Sequence, residues 1–356
     1  MSVIIFGGYG TFGALVAREL AANGIQVSIA GRDLNRAEPF TQSLGPLHKA
    51  VVADVRNLQS CRTAVTGHDV AVNCAGPFHG FGPELLEACL ESRCHYADIA
   101  DDRAYCALVR DYHDKFRRRS RAAVYGCSSL PAISGALGCV ARNEASDAPQ
   151  RARVTLFIGN NNPKGGAAIR SLLKSLGKPI RAPQGTIRVF SGREVVPLPE
   201  PIGKRAGFNV ESPEYDLFPA WFGVRSLTVK VVFELPQSNY IFAALAILGR
   251  DYAEATARFL ERIGNRFRAG SSAGAVMTEL FYADGSTRRA VLHTRQDGQR
   301  MAAMPCAIAV QRLCGGESVA CGAMTAYDLL GAEPLLQQIH AAGYALDRAT
   351  SPTPPS

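Results

Sequence analysis

The sequence has ten cysteines but no C-x-x-C pair, one tryptophan and five methionines. Without paired ligand spacing there is no sign of a zinc site, and no metal is expected. The first residues lack a basic segment and a small-residue cleavage site, so the apolar start reads as a strand. Reduced, mostly buried thiols in a cytoplasmic protein follow as the expectation. Long hydrophobic runs are also missing. The longest, Ile241 to Leu248, falls well short of the ~20 residues that cross a bilayer, so no membrane span is expected. Basic residues exceed acidic ones, 39 against 31, yet they are scattered. The one dense patch, Lys115 to Arg121, falls at the end of an expected helix, where cations offset the helix dipole. It gives no reason to invoke nucleic acid.

What is present is concentrated at the start. Val3-Ile4-Ile5-Phe6 is a short buried strand, followed by Gly7-Gly8-Tyr9-Gly10-Thr11-Phe12-Gly13 and a helix with Phe12, Leu15, Val16 and Leu20 on one face. Gly8, Gly10 and Gly13 fit the G-x-G-x-x-G dinucleotide fingerprint in its required strand-turn-helix setting. The glycines allow a tight turn, backbone approach to a pyrophosphate and close helix packing. The helix N-terminus adds unpaired N–H groups and positive dipole.

The second strand, Gln26 to Ala30, ends in Gly31-Arg32-Asp33. NAD-binding units carry an acidic ribose ligand at this junction. Here Arg32 follows Gly31, and a guanidinium can hold a 2′-phosphate bidentately. NADP is therefore favoured over NAD, with Asp33 read as the cap of the next helix. A third strand, His48 to Val55, places Asp54 near the adenine. A fourth, Asp69 to Gly76, leads into Pro77-Phe78-His79-Gly80, a loop that runs beside the cofactor. A fifth ends in Tyr96-Ala97-Asp98. A long helix, Arg103 to Arg118, precedes a sixth strand, Ala122 to Gly126. Strands alternating with helices in this way make an α/β, Rossmann-type doubly wound parallel sheet.

Beyond Gly126 the rhythm changes. Pro131 opens a helix to Asn143. Extended segments, a long helix from Asn239 to Arg266 and a hairpin turning at Ala283 to Ser286 suit an inserted α+β domain. The chain divides into a dinucleotide-binding domain at 1–130, a substrate and dimerisation domain at 131–320, a C-terminal helix returning to the first domain within 321–350, and a disordered Pro-rich tail at 351–356. A homodimer is left open.

These motifs resemble the saccharopine-dehydrogenase-like family of NAD(P)-dependent oxidoreductases. The resemblance rests on residues 7–13, Ala30-Gly31-Arg32, Asn73 to Phe78 and His95-Tyr96-Ala97-Asp98. It implies a Rossmann domain with an inserted mixed-sheet domain, and hydride transfer to or from an imine carbon of a small-molecule substrate. It also implies that Gly8, Tyr9, Gly10, Thr11 and Phe12 hold the pyrophosphate, Arg32 the 2′-phosphate, and Ala75, Gly76 and Pro77 the nicotinamide side.

Hydride transfer needs orientation, a dry site and one group to manage a proton. Asp98, at the carboxyl end of the fifth strand, is the first candidate for orienting an amine or stabilising an iminium. Tyr96 shares its face of the strand and could donate a proton, although a packed core tyrosine is the plainer reading. Lys164, in the Asn/Gly loop of the second domain, could contact a substrate carboxylate or be an ordinary turn lysine. Lys204-Arg205 could attract an anion or simply be solvated. No tyrosine is followed four residues later by lysine, so the acid–base pair of short-chain dehydrogenases is missing. Reduction of another bond, such as an enoyl C=C or a carbonyl of a more apolar substrate, stands as an alternative, as does a non-catalytic dinucleotide-binding protein.

Overall fold

The computed structural model describes residues 1–143, 147–163, 166–248, 256, 258–260, 262, 266, 269–316 and 318–351. The chain forms two compact units, Met1–Ser128 with Ala302–Gly331, and Ser129–Met301 with Ala332–Ser356.

The first unit is built on β1 (Ser2–Phe6), β2 (Gln26–Gly31), β3 (Lys49–Val52), β4 (Val70–Asn73), β5 (His95–Asp98) and β6 (Ala122–Tyr125), joined by β15 (Gly322–Thr325) from late in the chain. The order is β15-β6-β5-β4-β1-β2-β3 with every pairing parallel. Order reverses between β1 and β4, which creates a crevice at their carboxyl ends. Val3, Ile4, Ile5 and Phe6 are buried because helices cover both faces, as a parallel sheet requires. α1 (Gly13–Ala22) buries Gly13, Val16, Ala17 and Leu20; the expected Phe12 and Leu15 are only half-buried, on its flanks. α2 (Leu34–Leu44) and α3 (Leu58–Val65) follow β2 and β3, and α4 (Glu84–Glu91) precedes β5.

The helix expected over 103–118 is two, α5 (Arg103–Asp111) and α6 (His113–Arg118), broken at Tyr112. The break lets His113 Nδ1 lie 3.0 Å from the Ala323 carbonyl and 3.1 Å from its N–H, fastening α6 to β15. β15 is a seventh strand that the sequence pattern does not reveal.

The second unit opens with a wide turn, Ser129–Ile133, so α7 starts at Ser134 rather than Pro131 and runs to Arg142. Its sheet contains β7 (Arg151–Ile158), β10 (Glu194–Pro197), β11 (Lys204–Asn209), β12 (Ser226–Phe233), β13 (Gly274–Phe281), β14 (Thr287–Thr294) and β16 (Ala345–Ser351), in the order β10-β11-β12-β7-β13-β14-β16. Only β7 and β12 pair in parallel. The expected hairpin is β13–β14, turning through Asp284-Gly285, where Ser286 N donates to Asp284 Oδ1 at 2.8 Å. A separate ribbon pairs β8 (Pro179–Ala182) with β9 (Gly185–Arg188). Helices α8 (Gly166–Ser175), α9 (Glu214–Phe222) and α10 (Pro236–Leu248) complete the middle of the unit. α10 covers the first half of the helix expected over 239–266; most of the remainder lies outside the described residues.

The chain end differs from the expected returning helix. After α11 (Gly298–Cys314), β15 and the short α12 (Ala326–Leu330) belong to the first unit. Helix α13 (Ala332–Ala341) and β16 belong to the second, where β16 pairs with β14 along seven residues. The Pro-rich tail lies outside the described residues, apart from Ser351 in β16.

Candidate functional site

The turn after β1 is shaped by close backbone contacts. Gly7 has φ 73, and a Cβ there would stand 2.8 Å from the Ala75 Cα. Only glycine lets the end of β1 lie against the end of β4. Gly7, rather than Gly8, therefore takes the left-handed conformation; the doubled glycine was the available signal. Gly8 is pressed between the Ile5 carbonyl, at 3.0 Å from a built Cβ, and Ile29. At Gly13 a Cβ would overlap the Gly7 carbonyl oxygen, so Gly13 is what brings α1 down onto the turn. Gly10 is different: a Cβ would meet only the Gly7 oxygen, at 3.0 Å.

Hydrogen bonds fix this shape. Gly7 N donates to Ala30 O at 2.8 Å, Gly10 N to Gly7 O at 2.8 Å and Ala14 N to Gly10 O at 2.9 Å. Among the described residues, the N–H groups of Tyr9, Thr11 and Phe12 are not spent in these bonds. Together with the start of α1 they are donors through which this turn could hold an anion.

At the end of β2, the Tyr9 ring covers Gly31, where a Cβ would lie 2.6 Å from the phenol oxygen. Asp33 N donates to that oxygen at 3.2 Å, and the Arg36 guanidinium stands 4.9 Å from the ring centroid. Arg32 and Arg36 are both exposed beside it. Sequence spacing does not single out Arg36, because its link to Tyr9 is visible only once β1 and β2 are paired. Asp33 occupies the cap position of α2, but its side chain makes no capping bond. Asp54, half-buried after β3, accepts from Arg56 N at 3.0 Å.

On the far side of the crevice, Ala75 N donates to Asn73 Oδ1 at 3.1 Å, and Asn73 Nδ2 donates to the Tyr105 hydroxyl at 3.2 Å. That hydroxyl lies 2.9 Å from the hydroxyl of Tyr96. Asp102 caps α5, accepting from Tyr105 N at 2.9 Å, and so sets the position of that ring. Phe78 and Phe81 pack on Tyr105, with centroids 5.2 and 6.2 Å away. Gly76 and Pro77 remain accessible at the loop, while Phe78 is buried. Asn73 and Tyr105 are thus supports that no sequence motif singles out.

Asp98 and Tyr96 are both fully enclosed. Asp98 Oδ1 accepts from Ala100 N at 2.9 Å and Gly126 N at 2.8 Å, tying the end of β5 to the end of β6, while Oδ2 has no partner. Burial raises the Asp98 carboxyl to about 6, against the pull of those two N–H groups and the nearby Tyr96 hydroxyl. Neither side chain is presented at an open surface. Lys164 lies outside the described residues. Among the described residues no group of three or more His, Cys, Asp or Glu is placed to hold a metal ion, and no helix is long and apolar enough to cross a membrane.

Residues 3–124 match the family model of the saccharopine dehydrogenase NADP binding domain. The match covers about a third of the chain. The match supports NADP as the cofactor of the first unit, in keeping with Arg32 and the unspent N–H groups of the turn. A probable mitochondrial saccharopine dehydrogenase-like oxidoreductase of Arabidopsis thaliana is 30% identical over 156 residues, 38% of this chain and 34% of that protein. A trans-acting enoyl reductase of Mycobacterium leprae is 26% identical over 137 residues, 36% of this chain and 33% of its own. The chain spans about a third of the length of these two relatives. Among solved structures, apo saccharopine dehydrogenase (L-Glu forming) from Saccharomyces cerevisiae aligns over 98% of this chain and 99% of its own, with a TM-score of 0.69 and 13% identity. That likeness is one of fold.

Proposed function

We propose that this protein is an NADP-dependent oxidoreductase that transfers hydride at a C–N bond, between the nicotinamide and an imine or secondary amine. The observation that carries the reading is the built turn of residues 7–13, with its unspent N–H groups, inside a domain of the saccharopine dehydrogenase NADP-binding family. When bound, NADP(H) supplies the hydride. The chain's part is to hold and orient it: Gly8 to Phe12 at the pyrophosphate, Arg32 at the 2′-phosphate, Asp54 toward the adenine, and the Ala75-Gly76-Pro77-Phe78 loop along the nicotinamide side. Asn73 and Tyr105 fix that loop from behind, through the bond to Ala75 N. Asp98 and Tyr96 are assigned positioning roles, since both are enclosed. Lys164 is retained as a candidate contact to substrate.

The second reading, reduction of an enoyl C=C bond, is favoured by the likeness to the M. leprae enoyl reductase. Loss of NADPH absorbance separates the two. Panels pairing primary amines with oxo acids test imine reduction, and enoyl thioesters test the alternative. Turnover with imine-forming pairs supports the proposal, and turnover confined to enoyl substrates replaces it.

A further inference from the structure

A cavity of about 460 Å³ lies wholly within the second unit, lined by Arg193, Lys204, Arg205, Glu234 and Tyr240, with Val195, Ala206, Pro236 and Asn239. Its size is within the ~300–1,000 Å³ of small-molecule sites. Pairing of β10 with β11 sets the basic residues at one sheet edge, Pro197 opposite Lys204 and Val196 opposite Arg205. The first turn of α10 adds Pro236, Asn239 and Tyr240 to the wall, so a helix N-terminus with its positive dipole borders the same space.

The charge balance is one-sided. Glu234, the one acidic residue among the described residues of that lining, already accepts from Asn160 N and Ser271 N at 2.7 Å each and from Ser271 Oγ at 2.8 Å. The cations make no comparable pairing among the described residues. Arg193 Nε donates to the Tyr240 hydroxyl at 3.3 Å, and one Arg205 amino group donates to the Lys204 carbonyl at 3.0 Å. Arg205 Nε is buried with no hydrogen-bond partner among the described residues. Arg205 is part of the lining, and its guanidinium, with no carboxylate partner among the described residues, suits an oxyanion.

We propose that this cavity binds the oxyanion of a small organic acid, a carboxylate or a phosphate ester, with Arg205 as the central ligand, Arg193 and Lys204 flanking it and Tyr240 against the organic part. The inference rests on the second unit alone and is independent of the hydride-transfer reading.

Calorimetric titration of NADP-saturated protein tests it, because bound cofactor keeps added anions out of the nucleotide turn. Succinate and phenyl phosphate are the probes, at constant ionic strength, with the Arg193→Gln/Arg205→Gln double variant as control. Binding of either probe to the wild type, weakened at least tenfold in the variant, supports the site, and the probe that binds names the anion. Absence of binding by both probes, or equal affinity in a variant that still binds NADP, overturns it. Lys204→Gln, at an exposed strand end, should give a smaller loss and serves as the test if the double variant fails to fold.

Discussion

A side chain on Gly13 would run into the carbonyl of Gly7, with its Cβ 2.9 Å from the Gly7 carbonyl carbon, whereas one on Gly10 would meet only the Gly7 oxygen, at 3.0 Å. The same fingerprint therefore contains a packing glycine and a ligand glycine. Gly13→Ala should destabilise the protein by roughly 1–3 kcal/mol, since the obstacle is backbone that cannot turn aside. Gly10→Val should fold but lose NADP, because the side chain fills the pyrophosphate's space. Thermal unfolding and NADP titration on both variants check this. Similar behaviour of the two in both assays would refute the division.

Cofactor choice should depend on two arginines. Arg32→Ala should cut the preference for NADP over NAD by about ten- to a hundredfold, the value of one or two charge-assisted bonds of ~1.5–3 kcal/mol. Arg36→Ala should weaken NADP further, through loss of its stacking on Tyr9. NAD affinity should hardly move. Dissociation constants for both nucleotides decide it, and an unchanged ratio in both variants removes the assignment.

The first unit was legible in the sequence to the extent that its signals are local. Four apolar residues, a glycine cluster and an amphipathic run identify β1, the turn and α1 without any long-range contact. The Asp284-Gly285 turn likewise marks the β13–β14 hairpin. β15 was not legible, because Gly322-Ala323-Met324-Thr325 carries almost no strand propensity and is held by β6 and His113. Tyr112 is not a helix-breaking residue, so the division of α5 from α6 follows from tertiary contacts. The Tyr9–Arg36 stack and the Asn73–Tyr105–Tyr96 chain join residues from separate strands and helices, and no spacing rule reaches that far.

The buried ion network of the second unit should be sensitive to loss of one member. Arg153 pairs with Glu279 at 2.6 Å and with Glu194, while Lys230 lies 3.6 Å from Glu194 and donates to Asn209 Oδ1 at 2.8 Å. Arg153, Lys230 and Glu279 are all buried. Glu279→Ala would leave an enclosed guanidinium short of a carboxylate, with a cost of about 3–5 kcal/mol. NADP binding should persist, as the first unit is untouched. Chemical denaturation gives the answer, and a loss below about 1 kcal/mol would show that Glu194 alone suffices for Arg153.

Asp98 makes the sharpest prediction about pH. Its folded-state carboxyl titrates near 6, above the ordinary 3.8, because burial disfavours the charge. The folded protein therefore holds this proton when the unfolded chain has released it. For a group raised in this way, stability falls as pH rises from about 4 to 6, and the penalty persists at neutral pH. A rise of that size corresponds to about 3 kcal/mol at neutral pH. Asp98→Asn keeps an oxygen to accept from Ala100 N and Gly126 N and replaces the unpartnered Oδ2 with a neutral amide. The variant should be as stable as the wild type near pH 4 and more stable at pH 7, with the part of the slope due to Asp98 removed. His95 titrates in the opposite sense. Burial and the neighbouring Arg121 lower it to about 4 while its Nδ1 accepts from Ala122 N at 3.0 Å, so it withdraws stability as pH falls from about 6.5 to 4 in both proteins. The difference between wild type and variant isolates Asp98. Denaturant unfolding at pH 4, 5, 6 and 7 measures that difference. A gap that does not widen with pH would mean that Asp98 is already ionised in the fold at little cost, and that its two backbone bonds outweigh its burial.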